Sequence, residues 1–527
     1  MENNSKNKFL VPLVISCFFA GGIFIGTQFS PKIVFQSPAE ETNSKFSTIL
    51  DVIEDKYVDE VDHDLLIESS IEGMIKKLDP HSQYIPPQDL EKVNEQLDGK
   101  FGGIGIRFLI HDDTLVVTHV LDHSPSKKSG LLAGDRIIQV DDSLLTNKTV
   151  TNQMVMDLLK GVAGTDVELI VYRHGEVKNI LITRGSIPIS SIDANVMLTN
   201  DIGFIKLNSF TNNAGDEFVE AAKELKDLGM KSLIFDLRNN GGGYMHAATK
   251  IVDQFLPSGK LIVYTKGRKS KTDEYFSTSG GILLDVNVVV LINTLSASAS
   301  EIVAGAIQDN DRGLILGRRS FGKGLVQDQT PFNDGSALRL TISRYYTPTG
   351  RCIQKPYGEN VDYENDYLSR YENGELMNED SIKYDESLKF TTQGGRVVYG
   401  GGGIYPDIFV PNDTLGASYY LTDLYYSGAF NHWAFKLLDY KRFKWKSFDK
   451  FNASFNVSES MFNSFIKYSN INLGVVIDQS GMNKSKRIIK NRIKAEIARH
   501  LFSENGYYKI DTKNDLDVQT GLKELIK

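Results

Sequence analysis

Apolar residues change their spacing several times along the chain. Phe9 to Gly26, FLVPLVISCFFAGGIFIG, is apolar throughout and carries no charge. Phe46, Ile49, Leu50 and Ile53, then Leu66, Ile67, Ile71, Met74, Ile75 and Leu78, instead recur every three or four residues and predict two amphipathic helices. Pro80, Pro86 and Pro87 in LDPHSQYIPP stop that pattern, closing an N-terminal helical region at 40–98. Short apolar strands and glycine turns follow over 99–185: FGGIGIRFLI, TLVVTHVL, SPSKKSGLLAGDRIIQVDD, the helical TNQMVMDLLKG, and VELIVYRHG. From Gly203 strands and helices alternate through GFIKL, DEFVEAAKELKDLG, SLIFDLR, YMHAATKIVDQFLP and VNVVVLIN, which indicates an α/β core over 186–414. The charged, tyrosine-rich stretch 357–387 reads as an inserted surface excursion. Residues 415–527 are rich in aromatics with helical spacing, and no catalytic motif is legible there.

Length and composition narrow the class. At 527 residues the chain exceeds one compact domain and fits two to four. Its 41% hydrophobic and 24% charged residues are those of a globular protein, and a net charge of -8 without a basic run speaks against nucleic acid as a partner. Cys17 and Cys352, the two cysteines, offer neither a disulfide framework nor a cysteine metal site, and no HExxH pattern occurs. No metal and no cofactor are expected.

The apolar run at the start approaches the ~20 residues that cross a bilayer core. Lys6 and Lys8 before it favour a cytoplasmic segment 1–8, an anchor over 9–28 in the inner or cytoplasmic membrane, and the rest of the chain in the periplasm or outside the cell. A cleaved signal peptide, giving a secreted protein, is one alternative, although the run exceeds an h-region of about 7 to 15 residues. A lipoprotein beginning at Cys17 is another, against which the apolarity continues past that cysteine.

Three segments carry candidate chemistry. In NTLSASASEIVAG, Asn293 to Gly305, Ser298 precedes Glu301 by three residues, a capping-box pattern that makes Ser298 a helix cap. The same position would present a hydroxyl where unpaired N–H groups and the positive end of a helix dipole stabilise an oxyanion. This turn carries neither a GxSxG elbow nor SxxK, so a base must come from elsewhere. SFGKGLVQ supplies Lys323 between two glycines. A lysine amine near its ordinary pKa of about 10.4 is no base at neutral pH, but burial away from counter-ions lowers that value and frees the amine to take a serine proton. Gln327, four residues on, shares a strand face with Lys323 and would orient the amine without adding charge. In DLRNNGGG, Asp236 to Gly243, glycine amides between strand and helix offer an oxyanion donor beside that of Ala299; without a following GK[ST] this is no phosphate loop.

GGIGI, Gly102 to Ile106, and GLLAGDRII, Gly130 to Ile138, resemble a PDZ domain over about Gly99 to Arg184. DLRNNGGG, NTLSASASEIVAGAIQDNDR, SFGKGLVQ, LRLTISRYYTPTGRCIQ and GGGIYPDIFVP, preceded by LDPHSQYI, stand in the order and spacing of the carboxyl-terminal processing peptidases, or tail-specific proteases. The chain is similar to that family from about Phe46 to Pro411. The resemblance implies an α/β multidomain serine endopeptidase with a crotonase-like core, an inserted PDZ domain, N-terminal helices and a mainly helical C-terminal region. It implies Ser298 as nucleophile, Lys323 as base and Gln327 as its partner, with an oxyanion hole from Ala299 and Gly242, the latter within one residue of Gly243. Gly103, Ile104, Gly105 and Ile106 would bind the substrate's terminal carboxylate, and the partners would be proteins with accessible apolar C-termini. Asp309 is a candidate supporting carboxylate with a structural role favoured, and Ser296, Ser300 and His81 are read as structural. Thr294 and Leu295 depart from the small residues the family often has before the first serine. The oligomeric state stays open, a homo-oligomer included.

Overall fold

The computed structural model describes residues 38–111, 113–146, 149–358, 361–438 and 445–527. The expected anchor at 9–28 and Cys17 lie outside them, and no helix of the described residues is long and apolar enough to cross a membrane. Helices Pro38–Lys56 and His63–Ile75, where periodicity predicts them, make up the described part of a first unit that ends at Met74.

The second unit, Ile75–Lys527, holds everything else. Pro86 and Pro87 do more than end a helix. Pro86 is the N-cap of a further helix, Pro87–Asp98, because a proline lacks only the N–H that the first helical turn leaves unpaired. The strand Lys100–Gly103 then pairs with Gly185–Pro188, tying together the entry and exit of the glycine-rich section. Between them an antiparallel sheet runs in the order Ile106–His111, Thr114–Val120, Arg136–Val140, Asp166–Arg173 and Glu176–Thr183. The first of these is an edge strand; its Ile106, Phe108 and Ile110, with Met154 and Leu158 of helix Asn152–Leu159, pack half-buried against the core of this section. That is the geometry in which an extended peptide is added as a further strand. Gly105 in the loop before the edge strand has φ +78°, and a Cβ there would sit 2.4 Å from Ser124 Cβ, so only glycine fits.

The α/β core is built on a six-stranded sheet ordered Ile192–Met197, Ile202–Leu207, Ser232–Asp236, Asn287–Ile292, Leu314–Gly317 and Ile408–Phe409, parallel except for its first pair. Both faces are covered, as the unbroken apolar runs SLIF and VVVLI require. Helices Ala214–Asp227, Met245–Asp253 and Ala299–Asp309 pack on one face around Phe218, Phe235 and Phe255. On the other face Phe204, Ile234, Val289 and Leu316 meet Tyr508, Val518, Leu522 and Leu525 from the C-terminal helices. A second sheet carries Gln83–Ile85, Leu325–Pro331, Ala337–Tyr346, Leu261–Lys266 and Asp273–Phe276.

Most of the described residues of the stretch 357–387 are exposed, but a few of its side chains reach inward. Arg370 is 2% exposed and donates to the carbonyl oxygens of Arg319, Ser320 and Phe321, while Glu375 forms a two-pronged ion pair with Arg319. These two buried charges hold the chain that leads to Lys323. The C-terminal region is helical, as expected, around Phe430, Trp433, Phe465, Ile489 and Ile493. It also seats the PDZ-like sheet: Phe435 packs with Leu109 and Val116, and Arg107 pairs with Glu504 at 2.8 Å.

Candidate active site

Ser298 follows the turn that leaves strand Asn287–Ile292 and begins helix Ala299–Asp309, every residue of which is buried. Its backbone sits at φ 56°, a region that costs a non-glycine residue roughly 1–3 kcal/mol and persists only when neighbours enforce it. Here they do. Ser296 Oγ donates to Leu237 O at 2.8 Å and accepts from the Asn293 N–H at 2.9 Å, Ala297 N–H donates to Asn240 O at 3.0 Å, and Ser300 Oγ donates to the same carbonyl at 2.9 Å. Ser296 and Ser300 thus stitch the serine turn to the loop Asp236–Gly243. Glu301 caps the backbone of Ser298, accepting its N–H at 2.8 Å.

Gly242 lies directly against the serine. A Cβ on it would stand 2.8 Å from both Ala297 O and Ser298 Cβ and 3.1 Å from Ala299 N, and its φ of +102° excludes other residues. Its own N–H donates to Asn240 Oδ1 at 2.9 Å and its carbonyl accepts from Phe210 N–H. The amide expected to face an oxyanion is therefore engaged within the loop in this structure.

Lys323 opens onto the same cleft of about 670 Å³ as Ser298, Ala299, Gly242 and Gln327. Its Nζ donates to Gln327 Oε1 at 3.0 Å. The orientation of that amide is fixed from behind, because Gln327 Nε2 donates to His81 O and leaves Oε1 for the lysine. His81 is held in turn: Asp79 accepts from the His81 and Ser82 N–H groups at 2.8 and 2.9 Å and from Ser82 Oγ at 2.6 Å, and Thr341 bonds to both Asp79 and Ser82. Burial, then the Arg339 guanidinium, push the Lys323 amine below its ordinary pKa, with Asp79 and Glu301 opposing from a distance. Burial and the nearby lysine hold His81 down at about 4, so its ring is neutral at physiological pH.

Glu301 is the residue that reading the sequence undervalued. Fully buried, its carboxylate accepts Ser320 Oγ at 2.5 Å and Gly322 N–H at 2.7 Å on one oxygen, and Lys323 N–H and Ser298 N–H, both at 2.8 Å, on the other. One side chain thereby joins the backbones of the candidate nucleophile and the candidate base. Burial pushes its pKa up to about 7 against the pull of those four bonds. Tyr345 Oη adds a second bridge, shared between the carbonyl oxygens of Ser298 and Lys323. The capping-box spacing points to Glu301 as a cap, but nothing in the sequence reveals its second set of partners. Asp309 lies away from this group, in a fully buried ion pair with Arg351 at 2.6 Å. Among the described residues no group of three or more histidine, cysteine or acidic side chains could hold a metal ion.

A serine on a constrained turn and a lysine of lowered basicity thus line one cleft, in a chain that also carries a PDZ-like sheet with an open edge, an arrangement compatible with a serine peptidase. Comparison with known proteins agrees. Residues 201–364 match the model of peptidase family S41, 102–183 a PDZ domain, 26–88 the N-terminal domain of the activating protease CtpB, and 420–503 a family of unknown function. A carboxy-terminal-processing protease of Bartonella bacilliformis is 36% identical over 353 residues, 64% of this chain and 79% of that protein. A probable CtpA-like serine protease of Staphylococcus aureus is 33% identical over 314 residues, 59% of this chain and 62% of that one. Among solved structures, the photosystem II D1 C-terminal processing protease shares 24% identity over 70% of this chain and 93% of that one, with a TM-score of 0.36. The chain belongs to the S41 family of carboxy-terminal-processing serine peptidases.

Proposed function

We propose that this chain is an endopeptidase that captures protein C-termini, apolar ones in particular, on its PDZ domain and cleaves them with Ser298 and Lys323. The observation that carries this reading is the lysine's setting: an amine of lowered basicity, bonded to the neutral Gln327 and opening onto the cleft that Ser298 also lines. With one N–H on Gln327 Oε1, the amine has its lone pair free for the Ser298 hydroxyl proton. The serine oxygen then bonds to the scissile carbonyl carbon, and the resulting oxyanion lies at the start of helix Ala299–Asp309, where the Ala299 N–H and the glycine loop stabilise it. Gly242 would serve as second donor once its N–H leaves Asn240; otherwise the amide of Gly243 is the neighbouring choice. Lys323 passes its proton to the departing amine. The acyl-enzyme is hydrolysed by a water that Lys323 deprotonates, and Ser298 is restored.

The rest of the assignment follows the same reading. Parallel strands alternating with helices support a crotonase-like core over 186–414 with the PDZ domain inserted at 99–185. The uncharged run at 9–28 supports an anchor that places the catalytic part outside the cytoplasm. The test is cleavage of an unfolded reporter with an apolar C-terminus: Ser298→Ala and Lys323→Ala should each abolish it while thermal unfolding stays near that of the parent. Activity in either variant would refute the dyad.

A further inference from the structure

Arg238 stands where strand Ser232–Asp236 gives way to the glycine loop, next to Asn239 at φ +62°. Three carboxylates reach it, one from two residues before it and two from near the C-terminus. Asp236, fully buried, takes its Nε at 3.0 Å and one terminal nitrogen at 2.7 Å. On the far side its other terminal nitrogen donates to Asp515 at 2.9 Å and to Asp517 at 2.7 Å, both at the start of the helix Leu516–Ile526. Asp517 also forms a two-pronged pair with Arg318, at 2.7 and 3.0 Å. Arg318 follows strand Leu314–Gly317 and leads through Ser320 and Gly322 to Lys323. Lys206 completes the cluster, with Nζ 2.8 Å from Arg238 O and 3.4 Å from Asp236. Lys206, Arg238 and Arg318 thus face Asp236, Asp515 and Asp517, charge for charge, beneath the cleft. The helix carrying the last two is anchored by Val518, fully buried on the outer face of the main sheet.

We propose that Asp515 and Asp517 are positioning residues of the peptidase site: by holding Arg238 and Arg318 they fix the loop Asn239–Gly243 and the approach to Lys323, which makes the C-terminal helical region a working part of catalysis. Charged groups with so little water around them are oriented by their partners, and removing those partners leaves three cations facing one carboxylate. The loop then loses its attachment to the C-terminal helix, while Arg238 keeps Asp236 and the inner bonds to Asn293, Leu207, Ala297 and Ser300 remain. The inference rests on the reading of that loop as part of the oxyanion site.

The test is steady-state kinetics on the full chain, per folded molecule, for Asp515→Asn, Asp517→Asn and the double variant. Asparagine at 515 keeps the cap that Asp515 gives to Val518 N–H and removes only the charge. The expected result for the double variant is a fall in kcat of about tenfold or more with KM and the affinity of a PDZ-binding peptide within about twofold, since a displacement of ~1 Å costs that much in the chemical step and nothing in capture. A lower folded fraction with unchanged kcat per folded molecule would overturn the proposal and leave the aspartates as ordinary stabilising groups. Should the double variant not fold, Asp515→Asn alone decides between the same two results. Gly242→Ala separates this inference from the reading beneath it: if it leaves kcat intact the oxyanion role of the loop fails, whereas an inactive Gly242→Ala beside fully active aspartate variants fails the positioning role alone.

Discussion

Replacing Glu301 by glutamine and by alanine should give two different enzymes. In the parent, holding the carboxyl group near 7 when its ordinary value is 4.5 means that its ionised form is disfavoured by roughly 3 kcal/mol. The sign follows: a group whose folded value is raised stabilises fully below 4.5, and that contribution is lost as pH rises through about 7. Glutamine removes this penalty. Its oxygen can stay on the Ser298 and Lys323 N–H groups, its NH2 can meet a rotated Ser320 hydroxyl, and only Gly322 N–H loses its acceptor, at about 1–3 kcal/mol. Stability at pH 7 should therefore hardly change, and its dependence on pH between 4.5 and 7 should flatten. Alanine strands three buried N–H groups at about 1–3 kcal/mol each, so even after the relieved charge a loss of roughly 3 kcal/mol remains. For activity, the lost charge favours the neutral Lys323 amine, so the acid limb of kcat/KM in Glu301→Gln should move down. Glu301→Ala should lose about 100-fold in kcat as nucleophile and base lose their shared anchor. Urea unfolding and pH–rate profiles read both effects. Equal stability of the two variants, or an acid limb that stays in place in Glu301→Gln, would refute this account.

Two further outcomes can be checked. Gln327→Glu places a carboxylate about where an oxygen now lies 3.0 Å from Lys323 Nζ, which favours the ammonium; the acid limb should move up, with activity at pH 7 falling roughly 100-fold and returning in alkaline buffer. A parent-like profile would mean that Lys323 does not titrate in the reaction. Phe435→Ala empties the seat between Leu109 and Val116 and should cost about 3 kcal/mol or more of docking, read as faster amide hydrogen exchange in strands Ile106–His111 and Thr114–Val120; unchanged exchange would show that Phe435 does not hold the PDZ sheet.

Much of this was legible in the residues because the signals are local. Periodicity marks the paired helices of the first unit, unbroken apolar runs mark strands buried on both faces, and glycine flanks mark Lys323 as a lysine in a special place. Gln327 was found by same-face spacing, although the strand begins only at Leu325 and its register shifts between Val326 and Gln327. What stayed hidden depends on partners far along the chain. Charge makes 357–387 look solvated, and most of it is exposed, but Arg370 and Glu375 are buried against the carbonyls and the guanidinium they serve. Pro87 reads as a stop in the sequence, and opens a helix. The spacing of Glu301 announces a cap and says nothing of Gly322 and Lys323. Gly242 lies where the family pattern puts it, but the Asn240 side chain, two residues before it, holds its amide.

Arg238 and Asp517 also have a meaning in time. They are 279 residues apart, a stretch that a ribosome takes roughly 15 to 55 s to make. In the later part of that interval, once Lys323 has been added, the loop, the serine turn and the lysine have all been synthesised, and the carboxylates that pair with Arg238 and Arg318 have not. Until Asp515 and Asp517 are added, Arg238 and Arg318 lack the carboxylates that orient them from the C-terminal side, so the proposed alignment of the loop and the lysine would be completed only late in synthesis.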